Sequence, residues 1–268
     1  MEISAVVLSF NSKVYIEKCV RELITSYEES QLSGEVIVID NGSIDGSVEI
    51  LKLLQQEFKQ QLVVIYLKEN TGTTYSRNLG LKKSKGDYIV ILDSDAYMNA
   101  STLRGMKDWL ANNPSYGLVS PQLTFPDGRF QLSVDTFPTF TRKLQRFFML
   151  KKMEATQTMD LTQPRDIDYA ISACWMFPRR IYDALGGLDE NIFYSPEDVD
   201  YCLRIWAAGN RIAYLPQFSM VHDAQEISRG FKINKFTLLH VKGLMYYFLK
   251  HRYCFGLNRL YKKINRLS

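Results

Sequence analysis

Asp93-Ser94-Asp95 ends the run Asp87-Tyr88-Ile89-Val90-Ile91-Leu92, an apolar stretch that reads as a buried strand. Alternate residues of an extended chain point to opposite sides, and a turn just past the strand can aim both carboxylates at one ion and one ligand. Mg2+ and Mn2+ prefer carboxylate, water and phosphate oxygens, so the pair suits a cation that neutralises a diphosphate. Taken alone, an acid pair on a strand exit also reads as a polar turn. A second acid pair, Glu197-Asp198, precedes a helical pattern through Val199, Cys202, Leu203, Ile205 and Trp206, and His222 follows a later strand. With a nucleotide diphosphate at the strand exits, Asp95 is the expected metal ligand, Asp93 lies near the ribose or the metal, and His222 completes the shell. Displacement at a sugar's anomeric carbon also needs a base for the incoming hydroxyl. Asp198 is the candidate, because burial and the like charge of Glu197 raise a carboxylate's pKa. Without a covalent intermediate, one displacement inverts that carbon.

The elements that must position these groups follow from hydrophobic patterning. Ser4–Phe10, Glu35–Asp40, Leu62–Leu67 and Asp87–Leu92 are short apolar runs, each separated from the next by a stretch of helical periodicity. Ser43 or Asp45 is placed to cap the second helix. Strand–helix alternation with short connections predicts an open, mostly parallel sheet with helices on both faces. Ligands of such sheets bind beyond the carboxyl ends of the strands, where Asn11, Asp40, Asn70, Asp93 and Asp95 fall. Neither Gly-x-Gly-x-x-Gly nor Gly-Lys-Ser/Thr occurs at these exits, which argues against a dinucleotide or P-loop enzyme. Further along, Asp168–Phe177 is expected as one strand and Arg211–Leu215 as another. Arg142-Lys143 and Arg146–Lys152 form a basic–apolar cluster that reads as a packed loop helix or as a lid for an amphiphilic acceptor.

The composition is that of a globular chain: 268 residues, 46% hydrophobic and 23% charged. No apolar stretch is long enough to span a bilayer. The start, Met1–Leu8, carries an acid where a signal peptide carries positive charge, so it reads as a first strand, and a cytoplasmic location is expected. Cys19, Cys174, Cys202 and Cys254 have no metal-binding spacing and read as reduced thiols. The net charge of +4 conceals an asymmetry, since 227–268 holds ten Lys/Arg and no Asp/Glu. The rest of the chain is acidic on balance, which argues against nucleic acid and points the tail toward an anionic surface.

Taken together, several segments resemble the family 2 glycosyltransferases of GT-A type fold, and among them the rhamnosyltransferase-like group. They are Val6–Asn11, Val36–Ser47, Asn70-Thr71-Gly72 with Arg77–Gly80, Asp93-Ser94-Asp95, Gly186–Glu190 through Glu197–Arg204, and His222. The resemblance implies an α/β fold with a Rossmann-like, mostly parallel sheet flanked by helices. It implies a catalytic domain over 1–225, with a nucleotide-binding half at about 1–120 and an acceptor-side half over 121–225. By it, Asp40 recognises a pyrimidine base, Ser9, Asn11 and Ser43 line the nucleotide pocket, and Asn70, Gly72, Arg77 and Asn78 border the base and diphosphate. Asp95 and His222 hold Mn2+ or Mg2+, Asp93 lies near the ribose, Asp198 is the base, and Glu197 and Trp175 face the acceptor or the donor sugar. Asp200, two residues into its helix, is expected to turn away and be structural.

The implied activity is inverting, metal-dependent transfer from a dTDP- or UDP-sugar to a hydroxyl of a glycan or lipid-linked saccharide, in cell-surface polysaccharide synthesis. The alternative is a catalytically silent nucleotide- or glycan-binding subunit on the same fold. Residues 226–268 alternate apolar and basic positions and read as amphipathic helices, docked on the body, on an anionic membrane surface, or on both. The membrane reading places the protein peripherally on the inner face of the cell membrane.

Overall fold

The structure, a computed structural model, describes residues 1–142, 162–224 and 235–266. The basic–apolar cluster from Lys143 to Lys152 lies outside them. Four strand–helix units open the chain: β1 (Ile3–Ser9), α1 (Ile16–Ser30), β2 (Gly34–Asp40), α2 (Ser47–Glu57), β3 (Leu62–Tyr66), α3 (Thr73–Lys83) and β4 (Tyr88–Asp93), then β5 (Ala96–Tyr97) and α4 (Ala100–Asn112). The strands β6 (Tyr116–Thr124), β7 (Phe130–Gln131), β8 (Val134–Asp135), β9 (Arg165–Asp166), β10 (Tyr169–Ala170) and β11 (Cys174–Pro178) follow. The described chain ends with α5 (Arg179–Leu185), α6 (Glu197–Ala207), β12 (Arg211–His222), α7 (Lys235–His251) and α8 (Asn258–Lys263).

The main sheet runs β3-β2-β1-β4-β11-β6-β12-β5. β3, β2, β1 and β4 pair in parallel, β11 inserts antiparallel between β4 and β6, and β12 pairs in parallel with β6. The β-branched runs form the central strands because both faces of these strands are covered. Ile3, Ala5 and Val7 of β1 pack under α1, α2 and α4, whereas Val6, Ile37 and Ile39 pack on the opposite side with residues of α3, α5 and α6. Each fully buried Val, Leu or Ile contributes about 1.5–3 kcal/mol, so the sheet's position is heavily determined.

Pairing fixes the register of the functional edge. Ser9 lies opposite Asp40, and Leu8 opposite Asp93, so the three exits end at one level. Asp45, rather than Ser43, orders the start of α2: its carboxylate accepts from the Ser47 amide at 3.0 Å and from the Lys13 amide at 2.9 Å. The stretch expected as one strand over Asp168–Phe177 is split into β10 and β11. At the break, Ser172 turns toward Arg77, and the Ala173 carbonyl accepts from the Asp93 amide at 3.1 Å.

The C-terminal helices dock on the body. Tyr247 is fully buried, and Lys250 and His251 bond to Asp200 at 2.6 and 2.8 Å. Lys250 and Tyr246 bond to Asp189 at 2.6 and 2.9 Å. Leu260 and Ile264 are buried, Tyr261 donates to Asp168 at 2.5 Å, and Arg266 pairs with Asp168 while lying over the Trp206 ring at 4.5 Å.

Candidate active site

β4 ends at Asp93, and the chain turns immediately into β5, which pairs antiparallel with the end of β12. That pairing sets His222 opposite Ala96, and the Asp223 amide donates to the Asp95 carbonyl at 2.8 Å. One ligand atom each from Asp93, Asp95 and His222 therefore falls within 4.8 Å of the others. His222 Nε2 is 3.3 Å from an Asp95 carboxylate oxygen and 3.9 Å from one of Asp93. On the other side of the ring, Nδ1 is 2.8 Å from the side-chain carbonyl of Gln131. An amide oxygen only accepts, so Nδ1 carries a proton and Nε2 faces the acids, donating to Asp95 when the ring is charged and offering a lone pair when it is neutral. Burial disfavours the charged imidazole, but the hydrogen bond to Asp95 and the charges of Asp93 and Asp95 hold its pKa above the usual histidine value. Two carboxylates and an oriented imidazole form a donor set that fits a divalent cation of the Mn2+ or Mg2+ class.

Arg77, on α3, is almost fully buried and spans the site. One terminal nitrogen pairs with Asp93, and the other donates to Ser172 Oγ at 2.7 Å and to Glu197 at 3.3 Å. Ser172 in turn donates to Glu197 at 2.9 Å. Burial pushes the Glu197 carboxyl up to about 8, with the Asp198 charge adding to the shift and Arg77 opposing it. For Asp93, burial and the charge of Asp95 outweigh Arg77 and hold the carboxyl above its usual value. Asp198 opens α6 beside Glu197, half-buried, with a carboxylate oxygen 2.8 Å from the Val199 amide. Negative charge in this first turn is favoured by the helix dipole.

The nucleotide-side residues form an interlocked rim. Asn11, at φ 50°, accepts from the Ile44 amide at 2.9 Å, and its own amide donates to Ser43 Oγ at 2.9 Å. Asp40 is buried at the end of β2: one oxygen accepts from the Ser43 amide at 3.1 Å, and the other has no hydrogen-bond partner among the described residues. An orphaned buried acceptor is costly, and this oxygen is able to accept from an N–H donor. Asn70 accepts from Asn41 at 3.1 Å and from the Gly72 amide at 2.9 Å. Gly72 needs to be glycine, since it holds φ 87° and a Cβ there would overlap the Phe193 carbonyl.

Four of the expected contact residues are engaged by the protein itself. Trp175 is wholly buried, stacked on Tyr201 at 6.0 Å, with its indole N–H bonded to the Ala170 carbonyl, so it is core and faces no sugar. Asn78 is occupied by the Leu188 amide and carbonyl and by Glu190, so it clamps the 187–190 turn. Arg77 lies beneath the site as a strut, and Ser9 is buried with its hydroxyl 2.7 Å from Ser12. Asp200 turns inward to Arg204, Lys250 and His251. Gln131, Ser172 and Asn41 carry no sequence signal that singles them out. Asn41 holds the Asn70–Gly72 loop through four side-chain hydrogen bonds.

Comparison with known proteins gives this arrangement a lineage. A poly(ribitol-phosphate) beta-glucosyltransferase of Bacillus spizizenii is 29% identical over 115 residues, 43% of this chain and 18% of that protein. A mannosyltransferase of Pyrobaculum calidifontis, solved with GDP-Man and Mn2+, superposes with a TM-score of 0.64 at 17% identity, over 99% of this chain and 68% of that one. TarS 1-349 of S. aureus, solved with UDP, gives 0.60 at 20% identity, over 82% and 60% of the two chains. At these identities the structural likeness is one of fold, the GT-A type. The chain spans about a fifth to a half of the length of curated relatives it matches. The profile of Glycosyl transferase family 2 matches residues 4–186. Because that match covers most of the chain and extends from the first strand past the Asp93–Asp95 turn, the protein belongs to glycosyl transferase family 2.

Proposed function

We propose that the chain transfers a sugar, with inversion, from a pyrimidine nucleoside-diphosphate donor to a hydroxyl of a glycan or lipid-linked saccharide, in cell-surface polysaccharide synthesis. The observation that carries this reading is the Asp93–Arg77–Glu197 chain of contacts. It couples a cation-binding cluster to the helix start that holds Asp198. Asp95 and His222 would hold the Mn2+ or Mg2+, with Asp93 at their side. When bound, the cation would stabilise the negative charge of the departing diphosphate.

The chain's own residues supply the rest. The unpartnered Asp40 oxygen accepts the N–H of a pyrimidine, and the Asn11–Ser43 rim borders the nucleotide. Asp198 takes the proton of the acceptor hydroxyl as its oxygen bonds to the anomeric carbon. The bond from that carbon to the diphosphate oxygen breaks, and its electron pair leaves with the diphosphate. Glu197 keeps its proton at neutral pH and is thus able to donate a hydrogen bond toward the sugars. The UDP in one structural relative supports a pyrimidine donor, whereas the GDP-Man and Mn2+ in another support only the broader class of nucleotide sugar with a divalent cation. The named activity of the Bacillus spizizenii relative supports a polymeric acceptor. A thermal-shift screen of UDP-, dTDP- and GDP-sugars with Mn2+ and with Mg2+ tests the reading. One pyrimidine donor should stabilise the protein only when the cation is present, and no response to any of them would contradict it.

A further inference from the structure

α7 presents two unlike faces. Toward the body it sets Gly243 so tightly on the Ser195 carbonyl that a Cβ would overlap it, and beside it lie Tyr247, Lys250 and His251. On the other side Leu238, Val241, Met245 and Leu249 recur at i, i+3, i+7 and i+11, and they are 50% to 76% exposed. That spacing lines up one stripe along a helix. Just past the helix, Phe255 is 77% exposed and packs edge-on to Phe140, itself 52% exposed, with ring centroids 6.3 Å apart. Exposed apolar residues are ordinary singly, but a continuous set marks an interaction surface.

Charge identifies the occupant. Residues 227–268 carry ten Lys/Arg and no acid. Among them Lys242, Arg252, Arg259, Lys262 and Lys263 are exposed. The stripe is the ridge of a single helix in a segment that carries basic residues and no acid, which suits a deformable anionic interface. Among the described residues no helix is long and apolar enough to cross a membrane. We propose that the outward face of α7, with Phe255 and Phe140, lies in the surface of an anionic lipid bilayer, the helix parallel to it.

The inward face then gives this surface a catalytic meaning, which rests on the glycosyl-transfer reading above. The same helix touches Ser195 and bonds to Asp200, the residues on either side of Glu197 and Asp198. Docking therefore seats the base beside the bilayer, and the acceptor hydroxyl belongs to a saccharide carried on a lipid anchored there.

Vesicle flotation of the full chain tests the docking without any assumption about catalysis. Binding is expected to phosphatidylglycerol vesicles, at least about tenfold weaker to phosphatidylcholine vesicles, and weakened by salt because the rim charges are screened. A Met245→Glu/Leu249→Glu variant, altered only on the outward face, should lose about tenfold or more in partitioning, with an unchanged melting temperature and nucleotide response. Failure of the wild type to bind phosphatidylglycerol would overturn the proposal, as would undiminished binding by the variant. So would light scattering showing a dimer that the variant dissolves, which would assign the face to a second copy. Vesicle binding without any donor response would contradict the glycosyl-transfer reading and leave the docking standing. Equal transfer to a vesicle-borne and a free saccharide would overturn the acceptor class alone.

Discussion

His222 and Gln131 share a 2.8 Å hydrogen bond that decides which imidazole nitrogen faces Asp95. Gln131 reaches that position through the β6–β7 pairing, where it lies opposite Leu123. Removing a partner that orients a metal-binding histidine typically lowers metal affinity 10–100-fold. Gln131→Leu is therefore expected to weaken Mn2+ binding by about 10–100-fold, and His222→Ala by more. Titration of Mn2+ into the protein with a nucleoside diphosphate present, followed by electron paramagnetic resonance, measures both.

Among the described residues, Arg77 is the cation whose ion pairs link Asp93 to Glu197. Arg77→Met would leave the Asp93 carboxylate without its counter-charge and Glu197 without a hydrogen-bond donor. Breaking a buried pair from one side costs about 3–5 kcal/mol. A fall in the midpoint of urea unfolding corresponding to that loss is expected, with Lys recovering little because it cannot fork to both acids.

Much of this architecture is legible in the sequence. The four strand–helix units are readable because strands covered on both faces must be continuous apolar runs. The acid pairs and His222 stand out by chemistry. Arg77 is not readable as a buried strut: on α3 it resembles a solvated helix residue, and only β4 and α6 meeting over it change that. Trp175 misleads for a related reason. An aromatic residue near a site looks functional, but side-chain alternation along β11 turns it into the core. Gln131 belongs to a two-residue strand, too short to leave a pattern.

Glu197 makes stability depend on pH. Its carboxyl is raised in the folded chain from the usual glutamate value of 4.5 to about 8, so between those values the native state holds the proton more tightly than the unfolded one. Stability therefore falls as pH rises through this window. Glu197→Gln removes the effect, and its melting temperature relative to wild type should climb between about pH 5 and pH 8. A difference that stays constant across the window would contradict the assignment.

The docking of α7 has the opposite pH dependence. Burial raises the carboxyls of Asp189 and Asp200, but Lys250 with Asn191, and His251 with Lys250, outweigh it and hold both below their usual value. Their contribution is present above the ordinary carboxylate range and is lost as pH falls through the lowered values. Hydrogen exchange in α7 should accelerate in acid before the central strands exchange. Asp200→Asn should produce the same local loosening at neutral pH.

The most direct test of the central claim compares wild type with Asp198→Asn, using the donor that stabilises the protein and saturating Mn2+. Donor affinity is measured by calorimetry, and transfer by release of the nucleoside diphosphate. Loss of a general base should lower turnover by about 10²–10⁴-fold while donor affinity stays within about twofold of wild type. Near-normal turnover in the variant would contradict the account.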